Sequence, residues 1–405
     1  MVKKGPDVRK IAVFTATRAE YGLLRPIIER INASPRLELS LVVAGTHFSP
    51  WHGRTEQEIR ADGVRIAAAI NNAPESDTPG ALVLSVGLGL LEIAAYFTER
   101  VPDLILVVGD RYDLFVPMVG GILHRVPIAH IGGGETTEGV LDEQVRHAVS
   151  KMSHLHFAGT VEYARNLRRM GEEAWRIHLV GAPGVENIRK QRVMTTKGLK
   201  KTFDIDVSRP TLLITYHPET LTGKENPAQE VAVLIDALKE FSDYQQVVTY
   251  PGAEAGFHAV IEAWKRYAVE NSNVKLYQSL GSQGYLGVMR YASAVVGNSS
   301  SGIIEAPSFR VPAVNIGNRQ KGRVRAESII DVPCRKEEII AGLHKALEDR
   351  DFRRLVKRVR NPYDPHGDGN VSGRIVSVLE SVPIDRRLLE KKLDFPTEEE
   401  LCKWP

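Results

Sequence analysis

The chain has 405 residues, of which 43% are hydrophobic and 25% are charged, a composition typical of soluble globular proteins. A chain of this length is expected to form two domains rather than one core. Its 53 basic and 50 acidic residues leave a net charge of +3, which gives no electrostatic reason to expect a nucleic acid or a membrane as partner.

Neither a targeting segment nor a disulfide framework is predicted. The N-terminus up to Lys10 is charged and lacks the apolar stretch of a signal peptide. No run reaches the about 18 or more apolar residues needed to span a bilayer. The two cysteines, Cys334 and Cys402, have no metal-type spacing, and the histidines form no His-Glu-x-x-His pattern. We therefore expect a cytoplasmic protein without a metal site.

Short apolar runs rich in Val, Ile and Leu alternate with longer amphipathic stretches. Such runs are typical of strands buried on both faces, and their alternation with helices predicts a parallel, doubly wound sheet in each half. In the first half the predicted strands are 11–15, 37–43, 104–108, 126–131 and 177–180. In the second half they are 211–215, 246–250, 274–277, 294–296 and 313–316.

These elements predict two Rossmann-like domains. The first is expected over residues 1–183 and the second over residues 184–370, with the joint near Gly181. A last helix at about 371–390 is predicted to pack back on the first domain. The charged tail after Pro383 is expected to be loosely packed.

Clusters of polar residues follow six of the predicted strands directly. The clusters are 17–21, 109–111, 132–135, 217–220, 297–302 and 317–323. In parallel α/β sheets, ligands bind beyond the carboxyl ends of the strands, where helix N-termini present free N–H groups. The clusters therefore predict two domains that face a shared cleft, the architecture called GT-B.

The serine-rich cluster from Gly297 to Gly302 has two interpretations. Serine is a favoured N-cap, so the cluster can simply begin a helix. Together with Glu305 one turn later, and with Arg319 and Arg323 downstream, it predicts a cradle for a diphosphate. The chain has no Walker-type glycine–lysine loop, which disfavours ATP hydrolysis.

Three further features are candidates for chemistry. Asp142 and Arg146 are four residues apart on a predicted helix and share one face. A surface ion pair of this kind contributes only about 0.5 kcal/mol, but this helix follows a glycine-rich strand end, which favours a role in the cleft. His217 follows a strand end and is either structural or functional. The three glycines before Glu135 allow close approach of a ligand or form only a loop.

Taken in order, these motifs resemble the hydrolysing UDP-N-acetylglucosamine 2-epimerase family. The resemblance extends from Ile11 to about Glu380 and is greatest to bacterial enzymes that feed sialic-acid and legionaminic-acid synthesis. The motifs that carry it are Thr17-Arg18-Ala19-Glu20-Tyr21-Gly22, Gly109-Asp110-Arg111, His130-Ile131-Gly132-Gly133-Gly134-Glu135, Asp142-Glu143-Gln144-Val145-Arg146-His147, His217-Pro218-Glu219-Thr220 and the run from Gly297 to Arg323.

The resemblance implies a reaction in two stages. A base removes the proton at C-2 of the sugar while UDP leaves C-1, and water then adds to the resulting 2-acetamidoglucal. The products are UDP and a free N-acetylmannosamine-type sugar. Such chemistry needs a positioned base, donors for the departing diphosphate and a closed site. We expect a nucleotide sugar as the ligand, no cofactor, and a homodimer or homotetramer.

The resemblance also assigns roles to residues. The catalytic candidates are Asp110, Asp142 and His217, with Arg146 orienting them and Glu135 as a possible third carboxylate. Glu305 is expected to accept hydrogen bonds from the ribose hydroxyls. The complete set of predicted UDP-binding residues is Arg18, Arg111, Ser299, Ser300, Ser301, Glu305, Arg319 and Arg323.

This sequence departs from the family pattern at several positions. Some members have a glutamate where this chain has Gly132, and Glu135 is the candidate to replace it. A family asparagine appears here as Gly252, and a family serine appears as Gly22. These changes are compatible with a different sugar, so that either UDP-N-acetylglucosamine or UDP-N,N′-diacetylbacillosamine is expected as substrate.

Three alternatives remain open at this point. A non-hydrolysing epimerase would return UDP to the glucal, so the nucleotide–sugar bond would persist. A GT-B glycosyltransferase would share the fold and the diphosphate cradle but would need an acceptor. A non-catalytic nucleotide-sugar sensor would bind UDP without turnover. Asp142→Asn would leave UDP affinity intact in each case and would abolish turnover only in an enzyme.

Overall fold

The computed structural model describes residues 8–50, 53–74, 76, 78–138, 140–190, 193–219, 227–252 and 256–404. These residues form two compact units. Unit 1 comprises the described residues of Met1–Glu135, Asp142–Asn187 and Asp364–Pro405, and unit 2 comprises those of Thr136–Leu141 and Ile188–Tyr363. Unit 1 is therefore assembled from three separate stretches of the sequence.

The core of unit 1 is one parallel sheet. Its strands are β1 (Arg9–Thr15), β2 (Leu37–Val43), β3 (Ile66–Ala69), β4 (Leu104–Val108), β5 (Ile128–Ile131), β6 (Leu155–Ala158) and β7 (Ile177–Leu179). Their order is β3-β2-β1-β4-β5-β6-β7, with β1 and β4 paired in parallel as neighbours. The strand order thus reverses between β1 and β4, which is where open α/β sheets bind ligands.

Unit 2 repeats this architecture. Its strands are β8 (Thr211–Thr215), β9 (Gln245–Thr249), β10 (Val274–Tyr277), β11 (Ala294–Gly297), β12 (Ala313–Ile316) and β13 (Ile329–Val332). Their order is β10-β9-β8-β11-β12-β13, and the neighbours are parallel. The reversal lies between β8 and β11, so the polar residues that follow these two strands are brought to one edge of the sheet.

Helices alternate with the strands throughout the described residues. In chain order they are α1 (Arg18–Ala33), α2 (Glu56–Ala61), α3 (Pro79–Glu99), α4 (Phe115–Leu123), α5 (Asp142–Met152), α6 (Val161–Arg169), α7 (Pro183–Lys190), α8 (Thr196–Phe203), α9 (Pro227–Leu238), α10 (Phe257–Glu270), α11 (Gly281–Tyr291), α12 (Ser300–Ile304), α13 (Ala306–Phe309), α14 (Lys336–Glu348), α15 (Arg350–Val356), α16 (Val371–Ser381), α17 (Arg386–Leu389) and α18 (Glu398–Lys403).

The predicted fold class, two doubly wound parallel sheets, is confirmed. Each predicted strand exists, with its ends within two residues of the expected ones. These strands are easy to recognise because their side chains are buried on both faces of the sheet; all five residues of β4, for example, are buried. Strands β3, β6 and β13 were not predicted, because each is four residues long and lacks a pure Val/Ile/Leu run.

Helix α3 corrects the expectation about apolar segments. It is long and apolar enough to cross a membrane by length and composition, with a mean hydropathy of 1.8 over its best window. Ser85 and Glu92 interrupt the run of apolar residues, but the mean hydropathy of the helix stays high. One face of α3, with Ser85, Ile93 and Phe97, is buried in unit 1, and α3 packs against α4. Only 22% of the window is buried, which leaves a broad apolar face exposed.

The expectation of a loosely packed tail is correct for its side chains, most of which are exposed, but not for its backbone, which is anchored to unit 1. The buried guanidinium of Arg176 donates hydrogen bonds to the carbonyls of Leu388, Arg387 and Glu390. It thereby satisfies carbonyls at the end of α17, which have no partner within the helix. The Lys391 ammonium is 2.9 Å from the Glu172 carboxylate and anchors the chain directly after α17. The tail is held by backbone acceptors that a composition argument does not reveal.

Candidate active site

In unit 1, a buried arginine gathers the groups that follow β4 and β5. Asp110 comes directly after Gly109 at the end of β4, and its carboxylate accepts a hydrogen bond from Nη2 of Arg146 on α5. Nη1 of Arg146 donates to the Glu143 carboxylate at 2.5 Å and to the Glu135 carbonyl at 3.1 Å. The Arg146 side chain is 1% exposed. A planar guanidinium with several donors can hold these acceptors in one fixed arrangement.

The Glu135 carboxylate lies beside the glycine that departs from the family pattern. A Cβ atom built on Gly132 would be 3.6 Å from Oε1 of Glu135. Gly132 has a φ of +92°, a backbone conformation that L side chains rarely adopt. A side chain at position 132 would therefore be strained, while Glu135 brings a carboxylate to the same region from three residues further along.

Asp142 is the first residue of α5, one turn before Arg146. The first turn of a helix carries partial positive charge from its free N–H groups, so an acidic side chain is stabilising there. Asp142 is half-buried. The structure thus places Asp110, Glu135 and Asp142 in one unit. Arg146 is bonded to the Asp110 carboxylate and to the Glu135 carbonyl, and it lies on the helix that Asp142 begins.

His130 holds the backbone of Gly109, the residue directly before Asp110. Its Nε2 is 2.7 Å from the Gly109 carbonyl, an acceptor, so Nε2 carries the proton and donates. Burial lowers the pKa of His130 to about 4, which leaves the ring neutral at pH 7. His130 therefore supports the end of strand β4, a structural role that was not predicted from the sequence.

The two arginines predicted to bind UDP from unit 1 are each beside a carboxylate. Nε of Arg18, at the start of α1, is 3.1 Å from the Glu58 carboxylate. Nε of Arg111 is 3.2 Å from the Asp113 carboxylate, which is buried. Both arginines lie at the carboxyl ends of β1 and β4, where the strand order reverses. Their predicted contact with UDP stays a prediction.

In unit 2, an asparagine after β11 forms hydrogen bonds to the end of β8, the neighbouring strand at the reversal of strand order. The fully buried Asn298, after β11, accepts a hydrogen bond from the His217 N–H at 2.7 Å and donates one to the His217 carbonyl at 2.8 Å. Nδ1 of His217 accepts a hydrogen bond from the Gly252 N–H at 3.1 Å. Neutral His217 therefore carries its proton on Nε2. Thr220, the last residue of this motif, lies outside the described residues.

The serine cluster begins a short helix. Ser299 is the N-cap of α12 and accepts a hydrogen bond from the Ser301 N–H at 3.4 Å, while the Ser301 hydroxyl donates to Tyr285 Oη at 3.0 Å. Ser300 is the first residue of this helix. The N-cap interpretation of the cluster is correct. The use of the same hydroxyl and N–H groups for a diphosphate stays a prediction.

Glu305 has an unusual electrostatic environment. Burial raises its pKa to about 7, and a hydrogen bond with Ser301 and the positive charge of Arg323 only partly offset that effect. Because no other carboxylate contributes to this shift, the raised pKa of Glu305 reflects loss of solvation on burial. A carboxylate of this kind gains most from new hydrogen-bond donors, such as hydroxyl groups of a ligand.

A second carboxylate organises the loop after β12. Oε1 of Glu219 accepts hydrogen bonds from the N–H groups of Asn318 at 2.6 Å and Arg319 at 3.0 Å. The Arg319 side chain donates from Nη1 to the Asn298 carbonyl at 3.2 Å, and Gln320 donates to the same carbonyl at 2.9 Å. The roles of Glu219, Asn298 and Glu143 were not predicted from the sequence. Their presence in the quoted motifs was the only available signal.

The structure thus forms two groups. Unit 1 collects the predicted acids around Arg146, and unit 2 collects His217, the serines, Glu305 and the Arg319 loop around Asn298. That both groups serve one ligand stays a prediction. Among the described residues, no group of His, Cys, Asp and Glu is arranged to hold a metal ion.

Two parallel sheets, each with polar side chains at its strand-order reversal, define the Rossmann-like class of two-domain α/β proteins. A sequence profile of the UDP-N-acetylglucosamine 2-epimerase family matches residues 29–380. The chain belongs to this family.

Individual relatives agree with this assignment. The chain is 36% identical over 324 residues to a GDP/UDP-N,N′-diacetylbacillosamine 2-epimerase (hydrolyzing) of Campylobacter jejuni, covering 80% of this chain and 84% of that protein. It is 32% identical over 384 residues to the UDP-N,N′-diacetylbacillosamine 2-epimerase (hydrolyzing) of Legionella pneumophila, covering 95% and 99%. The solved UDP-GlcNAc 2-epimerase of Neisseria meningitidis has the same fold, with a TM-score of 0.78 and 18% identity over 91% of this chain and 99% of that one.

Proposed function

We propose that this protein is a hydrolysing 2-epimerase that converts a UDP-linked 2-acetamido sugar and water into UDP and a free N-acetylmannosamine-type sugar. The observation that carries the proposal is the cluster around Arg146, where a buried guanidinium holds the Asp110 carboxylate and the backbone of Glu135. Relatives named as hydrolysing 2-epimerases support the same reaction.

The acids of unit 1 are proposed to move the protons. Removal of the C-2 proton needs a carboxylate held within hydrogen-bond reach of the sugar, and addition of water to the glucal needs an acid and a base on the two faces of the ring. Asp110, Glu135 and Asp142 supply the carboxylates. Arg146 keeps Asp110 in place through a charge-assisted hydrogen bond to its carboxylate.

His217 is proposed to act as a donor rather than as the C-2 base. Its Nδ1 accepts the Gly252 N–H, so the neutral ring presents Nε2–H on its other side. A donor of this kind stabilises the negative charge that develops on the diphosphate as UDP leaves C-1. Arg319 and Arg323 supply positive charge in the same unit, and Arg18 and Arg111 are proposed to contribute from unit 1.

The sugar is proposed to be a UDP-2,4-diacetamido-trideoxy sugar such as UDP-N,N′-diacetylbacillosamine, with UDP-N-acetylglucosamine as the second candidate. Two relatives above 30% identity carry the diacetylbacillosamine name. By the family resemblance, Gly22 and Gly252 stand where family members have a serine and an asparagine, and we propose that this difference suits a sugar without a 6-hydroxyl. The product of either sugar is a precursor for sialic-acid or legionaminic-acid synthesis.

Proton NMR in deuterated water tests the reaction and the sugar together. The protein is incubated with each UDP-sugar in turn. We expect release of UDP and of a free sugar that carries deuterium at C-2, faster with the diacetamido substrate. Deuterium at C-2 of a sugar still bonded to UDP would instead identify a non-hydrolysing epimerase. Absence of both exchange and UDP release with either sugar would contradict the proposed function.

The raised pKa of Glu305 predicts that UDP binding depends on pH near neutrality. Ribose hydroxyls donate to the ionised carboxylate, so binding favours the form that predominates above the pKa of about 7. The Kd for UDP is therefore expected to be constant above pH 8 and to rise as the pH falls below 7, by up to about tenfold per pH unit.

Isothermal titration calorimetry between pH 5.5 and 8.5 measures this dependence. Glu305→Gln is the control, because UDP itself titrates near this range and its contribution is common to both proteins. The variant should retain only the dependence that belongs to UDP. Parallel curves for the two proteins would show that Glu305 does not contact the nucleotide.

The exposed face of α3 supports the prediction of a homo-oligomer. The exposed fractions of Val83, Leu84 and Leu91 are 71%, 70% and 71%. A Cβ built on Gly87 would meet nothing within 4 Å. Leu84 and Leu91 recur at heptad spacing, and Gly80 and Gly87 do the same beside them. Leucines of one helix can fill the spaces above the glycines of an identical helix, so we propose that a second copy of the chain covers this face.

Leu84→Glu with Leu91→Glu is expected to halve the mass measured by light scattering, while the circular dichroism spectrum is unchanged. Val269→Glu is the matched control, since Val269 is 88% exposed and lies on α10, in unit 2 rather than in the unit that contains α3. A wild-type protein that is monomeric, or that sediments with lipid vesicles through this face, would contradict the proposed contact.

We also propose a cytoplasmic location. Both cysteines, Cys334 and Cys402, are free, as is usual in a reducing compartment.

A further inference from the structure

A short segment of the chain belongs to a different unit from the residues on either side of it. Thr136–Leu141, here called the strap, is part of unit 2. Glu135 before it and Asp142 after it are part of unit 1. Both of these flanking residues are candidate catalytic acids. The strap is described except at residue 139.

The strap is bonded to the loop after β12. The Thr136 hydroxyl donates a hydrogen bond to the Gly322 carbonyl, and the Glu138 N–H donates to the Lys321 carbonyl at 2.9 Å. The Glu138 carboxylate is 2.9 Å from the Lys321 ammonium, but both side chains are more than half exposed and this ion pair adds little. Two backbone carbonyls of the loop are therefore the main attachment points.

The fit between the strap and the loop depends on the glycine. Gly322 has a φ of +86°, and a Cβ atom there would be 3.2 Å from Cγ of Glu138 and 3.2 Å from Cβ of Thr136. This separation is tighter than ordinary van der Waals contact, so a larger residue would push the strap away. The absence of a side chain lets the two backbones approach closely.

This loop is also the one that carries Arg319 and Arg323. Its backbone is held by Glu219 through the N–H groups of Asn318 and Arg319. Under the proposed function, the loop binds the diphosphate of UDP. A shift of the loop on binding would reach the strap through its two hydrogen bonds, and Thr136 in the strap is the residue after Glu135.

At its other end the connection reaches the acids of unit 1. The Glu135 carbonyl accepts a hydrogen bond from Arg146 at 3.1 Å, and the same guanidinium bonds to the Asp110 carboxylate. Asp142 starts the helix that carries Arg146. An unbroken series of peptide and hydrogen bonds thus leads from the loop after β12 to all three candidate acids.

We propose that the strap makes the placement of Glu135 and Asp142 depend on occupancy of the diphosphate loop, with Thr136 as a positioning residue. This inference rests on the proposed function. A displacement of about 1 Å at a reacting group can reduce turnover about a hundredfold. The strap therefore sets the acids for proton removal when the UDP moiety is held, and relaxes them when the loop is empty.

Thr136→Val tests the proposal, because it keeps the shape of the side chain and removes the hydroxyl donor. We expect kcat to fall ten- to a hundredfold, while the Kd for UDP from calorimetry changes less than twofold and the Tm stays within about 2 °C. Thr136→Ser restores the donor and should recover most of kcat. Equal losses in both variants, or a parallel loss of UDP affinity, would overturn the positioning role.

Hydrogen–deuterium exchange with and without UDP supplies a readout that is independent of turnover. In the wild type, UDP should slow exchange in residues 317–325 and also in residues 135–143. In Thr136→Val, the first effect should remain and the second should be lost. Protection of 317–325 alone in the wild type would refute the coupling and leave the proposed function standing. No protection by UDP at 317–325 would refute the proposed function itself.

Discussion

Glu135→Gln is expected to lower kcat by a factor of about 10² to 10⁴ and to leave the Kd for UDP within about threefold of the wild type. The amide keeps the size of the side chain but cannot take up a proton. The backbone carbonyl of Glu135 still accepts its hydrogen bond from Arg146, so the surrounding structure should persist. UDP affinity should be retained because the proposed diphosphate and ribose contacts are mostly in unit 2.

Initial rates of UDP release and calorimetric titration with UDP provide the two measurements. The control is Glu162→Gln, on α6 of the same unit, where the glutamate side chain is 44% exposed; this variant should behave as the wild type. The Glu135 result bears on the departure at Gly132. If Glu135→Gln costs less than about tenfold, Glu135 does not replace the family glutamate, and Asp110 and Asp142 must perform the proton transfers without it.

Arg146→Met is expected to destabilise the protein by about 3 kcal/mol and to abolish turnover. Removal of one partner from a buried ion pair typically costs 3–5 kcal/mol, because the remaining charge is left without compensation. The lower end of that range is expected here since Asp110 is 24% and Glu143 17% exposed, so water can partly solvate them. Methionine keeps the volume of the aliphatic stem.

Urea denaturation followed by circular dichroism measures the free energy of unfolding. Arg169→Met is the matched control: Arg169 is on α6, is 46% exposed and is 2.7 Å from the Glu162 carboxylate. Its loss should cost no more than about 1 kcal/mol. Arg146→Lys should lie between the two, as an ammonium cannot reach three acceptors in fixed directions. An Arg146→Met protein as stable as the control would show that the cluster is solvated rather than buried.

The fold could be predicted from the sequence because the decisive signal is local. Strands such as β4 and β8 are uninterrupted apolar runs that a parallel sheet buries on both faces. The same reasoning failed for β3, a short Ile-Ala-Ala-Ala strand at the sheet edge, where partial burial relaxes the need for large apolar residues. It also misjudged α3, because an uninterrupted run is a stricter criterion than mean hydropathy.

The candidate site could be predicted only in part. Parallel strands bring their carboxyl ends to one edge, so the positions of Asp110 and His217 followed from the strand pattern. Their partners did not follow. Asn298 and His217 are 81 residues apart, and Glu219 and Arg319 are 100 apart. Which groups meet across such separations depends on strand order and loop conformation, and neither has a signature in a single sequence.

The three-part construction of unit 1 has a consequence for synthesis of the protein on the ribosome. The stretch Ile188–Tyr363 emerges before Asp364–Pro405, so every strand of unit 2 has left the exit tunnel while unit 1 still lacks α16 and α17. Until then Ile375 and Leu379, which belong to the same hydrophobic cluster as residues of α1, leave their partners uncovered, and Arg176 lacks the carbonyls near α17. The nascent chain therefore carries an unfinished first unit through most of its translation, a period in which exposed apolar surface favours aggregation.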